Sequence, residues 1–192
     1  MTRYHHGDLR AALVAASFEV LADCGVQRFS VAAVARRIGV SAAAPYRHFP
    51  DRAHLLSAVS ARAARDLRTA IEAAVSPAGD PAARMAAVAG AYVRYVGRTG
   101  AGMSVIFANE LYAVRDDERR DHTRALMTAL LDLAVAAAHP GGYPAAVRLL
   151  EATLAVAHGY VALFGEGFFA LSDRPLDEVA VRAVEAAAAL IG

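Results

Sequence analysis

The chain contains no lysine. All 20 of its basic residues are arginine, against 19 acids, and the formal net charge is +1. Beside the abundant alanine, this one-sidedness marks a compositional bias rather than a site. Tryptophan is absent, and cysteine occurs once, at Cys24. A lone cysteine excludes an internal disulfide and suits a reducing compartment. Near the end of an amphipathic stretch, Cys24 reads as a small buried hydrophobe. Although 57% of the residues are hydrophobic, no uninterrupted apolar run reaches the ~18 residues of a membrane span. The opening MTRYHHGDLR has no apolar leader core, so a cytoplasmic location and no membrane partner are expected. A Gly-rich phosphate loop, a GxSxG elbow and an HExxH pair are missing too. The acids of DDERRD, residues 116–121, read as a solvated helix start rather than paired carboxylates. His5 and His6 have no third ligand nearby. No catalytic residue, cofactor or metal is therefore expected, and a small helical enzyme stands only as an alternative.

What is present is unevenly charged. Residues 1–62 carry 8 arginines and 4 acids, net +4, whereas residues 63–192 carry 12 arginines and 15 acids, net −3. A basic head on a slightly acidic body fits a head that meets phosphates. No segment alternates apolar and polar residues with period two, and apolar residues recur instead at helical spacing. Asp8–Cys24 sets Leu9, Leu13, Ala16, Val20 and Leu21 on one face. Further helices are predicted at about 51–74, with Asp51 as cap, and at 81–98, 103–112, 116–139, 144–169 and 176–190. SPAGDP, HPGGYP and SDRP break the chain between them.

The stretch FSVAAVARRIGVSAAAPYRHF, residues 29–49, is the most informative. Ser30 can cap the helix that follows it. Val31, Val34, Ala35 and Ile38 then fall on one face. Gly39 stands where a helix end needs positive φ, and Val40 plugs the corner. Ser41 is a second cap, and Ala42–His48 is predicted as the next helix. The spacing predicts a helix-turn-helix, whose second helix enters the major groove while the first crosses the backbone. The expectation is an all-α protein of about nine helices.

Residues 7 to about 56 resemble the DNA-binding domain of the TetR family of bacterial regulators. Gly25, Ser30, Val34, Ala35, Gly39, Val40, Ser41, Tyr46, His48, Phe49, Leu55 and Leu56 carry the resemblance. Two departures thin the base-reading face. Ala42, Ala43 and Ala44 stand where the family often has a polar residue and a glycine, and Pro45 replaces a leucine or isoleucine. The resemblance implies a helix-turn-helix domain over residues 1–50 and a ligand-binding and dimerisation domain over 51–192. It implies phosphate contacts for Tyr46 and His48, and a backbone clamp for Arg52, where relatives place a lysine. Ser30 and Ser41 are candidates for hydroxyl or helix N-terminus contacts to phosphate. Arg47 is the candidate base reader, since a guanidinium can bond guanine O6 and N7 together. Ala42 and Ala43 are candidates for thymine methyls. Arg36 and Arg37 read as a solvated face, and Arg3, Tyr4, His5 and His6 as an arm toward DNA.

In the body, TLAVAHGYVALF, residues 153–164, resembles a C-terminal domain type of the same family marked by Trp and then His-Gly, with Leu154 near the place of the tryptophan. His158 is either hydrogen-bonded in the core or a polar anchor in a pocket. Met103, Phe107, Met127, Leu131, Leu154 and His158 are the candidate effector pocket, with plain core packing as the alternative. Leu149, Ala152, Val156, Gly159, Leu163, Val179, Ala183 and Ala187 are the candidate dimer interface, with packing inside one chain as the alternative. The expected partners are a double-stranded DNA operator, a small-molecule effector and a second copy. A ligand-binding helical dimer without DNA binding is the alternative within this class.

Overall fold

The computed structural model describes residues 6–169 and 174–191, with side chains from Leu9 onward. The expected arm at Arg3, Tyr4, His5 and the His6 side chain lies outside the described residues. Within them the chain is all-α, with no strand. The helices are α1 His6–Arg28, α2 Val31–Arg37, α3 Arg52–Ala74, α4 Pro81–Thr99, α5 Met103–Ile106, α6 Asp117–Ala137, α7 Gly142–Gly165 and α8 Leu176–Ala188. Two 3-10 turns occur, at Pro45–Arg47 and Asn109–Ala113.

Three segments depart from the sequence expectation. Residues 42–48 do not form an α-helix. Pro45 has no N–H to give to the carbonyl of Ser41, and a proline there ends a forming helix. The Ala44 N–H reaches Ser41 O at 3.0 Å, and the N–H groups of His48 and Phe49 both turn onto Pro45 O at 2.9 Å. The stretch 103–112 divides at Ala108, whose extended ψ of 132° separates α5 from the second 3-10 turn. α1 runs beyond Cys24, but through Gly25 with φ 70° and ψ 172°, so its regular part ends where expected.

The chain divides into two compact units, residues 1–64 with 99–123, and residues 65–98 with 124–192. In the first unit, α1 buries Leu13, Ala16, Val20 and Leu21. α2 adds Val31, Val34 and Ala35, and α3 adds Leu55, Leu56 and Val59. A fully buried leucine of this kind stabilises by about 1.5–3 kcal/mol. Ser30 is extended at φ −147°, and its Oγ accepts the Ala33 N–H at 3.2 Å. At the other end of α2, Gly39 N–H donates to Arg36 O at 3.2 Å and Val40 N–H to Ala35 O at 3.1 Å. This 6→1 closure needs a residue at positive φ, and Gly39 supplies φ 70°. Gly100 is more constrained. It has φ +65°, and a Cβ there would stand 2.6 Å from the backbone of Leu21 and Ala22.

In the second unit α4 packs on α8. Arg94 Nε donates to Asp177 Oδ1 at 3.1 Å, and Arg98 Nη2 to the same oxygen at 3.2 Å. Gly90 allows this approach, because a Cβ would meet Val184 Cγ2 at 2.6 Å. α8 also packs along α7, and it buries Val179, Ala180, Ala183 and Ala187. α7 buries only Ala146, Leu150, Thr153 and Ala157. Its most apolar 18-residue window has a mean hydropathy of 1.3, so the helix is long and apolar enough for a membrane span by length and composition alone, and 17% of that window is buried. Arg148 and Glu151 interrupt it.

Candidate nucleic-acid interface

The segment after α2 is anchored from beneath and open above. Pro45 and Phe49 are buried, with Phe49 3% exposed, and the guanidinium of Arg10 lies 5.3 Å from the Phe49 ring centre. These inward anchors turn Ser41, Ala42, Ala43, Tyr46 and Arg47 outward. Tyr46 is 53% exposed, a large ring left in water. Ser30 and His48 are half-buried, and the Ser30 oxygen accepts its capping bond, which leaves the hydroxyl hydrogen to donate. The outward face therefore offers a phenol, a guanidinium, a hydroxyl and two methyl groups. Such a set can position phosphates and touch a base edge or a thymine methyl.

The arginines around this face differ. Arg36 and Arg47 are exposed and carry no ion pair among the described residues. Arg37 instead pairs with Asp23 and, at 3.2 Å, with Glu19, both on α1. The Asp23 hydrogen bond, more than any other cause, raises the pKa of Arg37. Both arginines therefore lie on the exposed side of α2, but Arg37 spends its charge on the α1 carboxylates and Arg36 does not.

Arg52 is turned into the protein. Its Nε donates to Phe29 O at 2.9 Å, its Nη2 to Val26 O at 2.6 Å, and its Nη1 pairs with Glu110. The guanidinium also covers the Phe29 ring at 5.7 Å. Each guanidinium nitrogen thus has a partner inside the protein, where a clamp on the DNA backbone was expected. A second tie lies one turn along α3. Ser57 Oγ donates to Asp116 Oδ2 at 2.7 Å, and Arg119 Nε donates to Ser57 Oγ at 3.1 Å. Burial pushes the Asp116 carboxyl up. The Arg119 N–H at 3.0 Å, the Ser57 hydroxyl and the Arg119 charge outweigh it and hold the pKa below the usual aspartate range. Asp51 caps α3 by accepting the His54 N–H at 2.9 Å. The His54 side chain is the main cause of its lowered pKa.

The body residues separate into different places. Met127, Leu131 and Leu154 line one groove of about 380 Å³ between α6 and α7. His158 is not among its walls; its Nδ1 lies 3.1 Å from the hydroxyl of the fully buried Tyr92. Phe107 lines a polar recess with Val26, Arg52, Ser104 and Glu110 in the other unit. Met103, half-buried, lines neither. Of the candidate dimer residues, Gly159 and Leu163 are exposed, and Leu149, Ala152 and Val156 are half-buried. Val179, Ala183 and Ala187 are fully buried within the chain, so they offer no surface to a second copy.

Comparison with known proteins decides what this scaffold is. Residues 13–59 match the family of bacterial regulatory proteins, tetR family. The chain belongs to the TetR family. A protein of unknown function from Rhodococcus sp. RHA1 is 32% identical, with 98% of this chain and 97% of that one covered and a TM-score of 0.70. A TetR-family regulator from Rhodococcus RHA1 is 23% identical over 95% and 96% of the two chains, at a TM-score of 0.63. LfrR from Mycobacterium smegmatis, a TetR-like regulator solved with proflavine, is 18% identical over 93% of each chain, at 0.66. The comparison with curated proteins gives no significant match. The helix-turn-helix and fold are those of a TetR-like DNA-binding transcriptional regulator.

For a TetR-family chain, sequence reasoning overlooked two features. Glu110, Asp116 and Arg119 hold the first turns of α3 from a segment far along the chain. The only signal was Ser57, a hydroxyl on the apolar side of α3, where burial demands a partner. Pro45 reads in the sequence as a substitution in the family pattern, whereas in the structure it is the buried anchor of the reading segment.

Proposed function

We propose that this TetR-family protein is a cytoplasmic repressor that binds a pseudo-palindromic operator as a homodimer and is released by a small molecule. In this reading residues 1–50 form the DNA-binding head, and residues 51–192 bind the effector and dimerise. The observation that carries it is the outward set Ser41, Ala42, Ala43, Tyr46 and Arg47 over the buried Pro45 and Phe49. Tyr46, His48, Ser30 and Ser41 place phosphates, and Arg47 reads one base. Such a short segment discriminates little by itself. Two copies on half-sites about 34–36 Å apart, or a multiple, gain the missing specificity. The second copy docks on the outward stripe of α7 around Ala155, Gly159 and Leu163, where small residues permit close approach. The effector acts by binding one spacing of the two heads better than the other. Its leverage equals that affinity difference, typically ~1–3 kcal/mol.

The test begins with genomic fragments captured by the purified protein, followed by compounds that release the best fragment. On that fragment, Tyr46→Phe should weaken binding to all sequences alike, whereas Arg47→Ala should relax preference at one base position. Equal loss on every sequence for Arg47→Ala removes it from base reading. No binding to any DNA at low salt overturns the repressor reading and leaves a ligand-binding dimer.

A further inference from the structure

The polar recess beside Arg52 lies wholly within the first unit, apart from the DNA face and from the α6–α7 groove. Its volume, about 570 Å³, falls in the range of small-ligand sites. Its walls come from Val26 and Gln27 at the end of α1, from Arg52 at the start of α3, and from Ser104, Phe107, Asn109 and Glu110.

Two opposite charges share one wall. Arg52 and Glu110 pair there, with their side chains 33% and 32% exposed. The pair exhausts neither residue. A guanidinium has five N–H groups. Arg52 gives one to Phe29 O, one to Val26 O and one to Glu110 Oε1, so one remains on each terminal nitrogen. Glu110 accepts with Oε1, and its Oε2 has no partner among the described residues. A simple anion gains Arg52 but is repelled by Glu110, and a simple cation meets the reverse. A guest that carries both charges on adjoining groups satisfies both residues at once.

The rest of the lining describes the body of that guest. Gln27, Ser104 and Asn109 are exposed, and their side chains make no hydrogen bond among the described residues. A carboxamide offers donors and an acceptor side by side, which a second carboxamide matches. Phe107, 40% exposed, adds an apolar face, suited to covering a short methylene stem.

We propose that this recess binds a polar α-amino acid with an uncharged side chain, as its zwitterion. Arg52 takes the carboxylate, Glu110 takes the ammonium, and Gln27, Ser104 and Asn109 take the side chain. The site is separate from the effector of the repressor reading and stands or falls without it. By bridging the end of α1 and the 104–110 segment across Arg52, the guest braces the residues that precede the Ser30 cap.

Isothermal titration calorimetry of the full-length protein tests this, with L-glutamine as the probe. Glutaramate is the same molecule without the α-ammonium, and 4-aminobutanamide is the same molecule without the carboxylate. L-Glutamine should bind saturably. Each single-charge analogue should bind at least about tenfold more weakly, the effect of losing a hydrogen bond to a charged group. Glu110→Gln should lower glutamine affinity by a similar factor. It should also abolish the advantage over glutaramate, because the repulsion on the anion goes with the carboxylate. Asn109→Ala and Gln27→Ala should each lower glutamine affinity about threefold. Both of these side chains are exposed and unbonded, so the far-UV circular dichroism should not change. They decide the outcome if Glu110→Gln disturbs the fold. Absence of saturable binding overturns the proposal, as does equal affinity for either analogue. Glutamine binding that none of the three variants weakens places the guest elsewhere and overturns it too.

Discussion

Arg52 donates its Nε–H to the carbonyl oxygen of Phe29 at 2.9 Å, which ties the start of α3 to the residue preceding the Ser30 cap. The same guanidinium holds Val26 O and Glu110. Hydrogen bonds from a charged donor contribute about 1.5–3 kcal/mol when part-buried. Arg52→Ala should therefore lower stability by roughly 2 kcal/mol in urea denaturation. Arg52→Lys should recover little of it, since an ammonium cannot match a fork aimed at three separate oxygens. Unchanged stability with weakened DNA binding would instead return Arg52 to a phosphate contact.

Arg36 and Arg37 are neighbours in sequence with opposite commitments. The salt dependence of DNA binding counts phosphate contacts, at roughly 0.9 in slope per contact. Arg36→Ala should reduce the slope of a dimer by about 2, one contact per subunit. Arg37→Ala should leave the slope nearly unchanged, because its charge is spent on Asp23 and Glu19. Binding isotherms across a salt series measure both.

Asp116 makes acid stability specific to one residue. Its pKa is lowered in the folded chain, so the unfolded chain binds its proton more readily. The stabilisation is fully present above the unfolded pKa, near about pH 4. It is lost as pH falls through the folded pKa. Asp116→Asn should lower stability at neutral pH by about 1 kcal/mol. It should also flatten the decline below about pH 4. Parallel acid-unfolding curves for the two proteins would refute this.

Two glycines should respond differently to a methyl group. Gly39→Ala meets nothing within 4 Å and bears only the positive-φ penalty, about 1–2 kcal/mol. Gly100→Ala adds a collision at 2.6 Å with the backbone of α1, and total losses above about 3 kcal/mol follow. Thermal melts of the two variants should separate clearly.

Local chemistry was legible in the sequence. The Ser30 and Asp51 caps and the Gly39 turn form because their partners lie three to five residues away, within reach of pattern reading. The Arg52–Glu110 and Ser57–Asp116 ties span 58 and 59 residues and depend on packing that no local pattern encodes. Val179, Ala183 and Ala187 show another limit. A stripe of small residues is the same whether it packs inside its own chain or against a second copy. The helix expected at 42–48 failed through over-extension: the alanines favoured it, but one missing N–H at Pro45 decided otherwise. Among the pocket residues, Met127, Leu131 and Leu154 came together because each lies on the facing stripe of two consecutive helices.

That missing N–H has an electrostatic consequence. A regular helix aimed at DNA concentrates partial positive charge at its N-terminus and draws phosphate without any side chain. Pro45–Arg47 is a single 3-10 turn of three residues, too short to build an aligned macrodipole. Ser41 therefore stands at the head of no such field, and attraction to the DNA backbone falls to discrete cations. In this chain those cations are arginines, whose charge persists at any pH the protein meets.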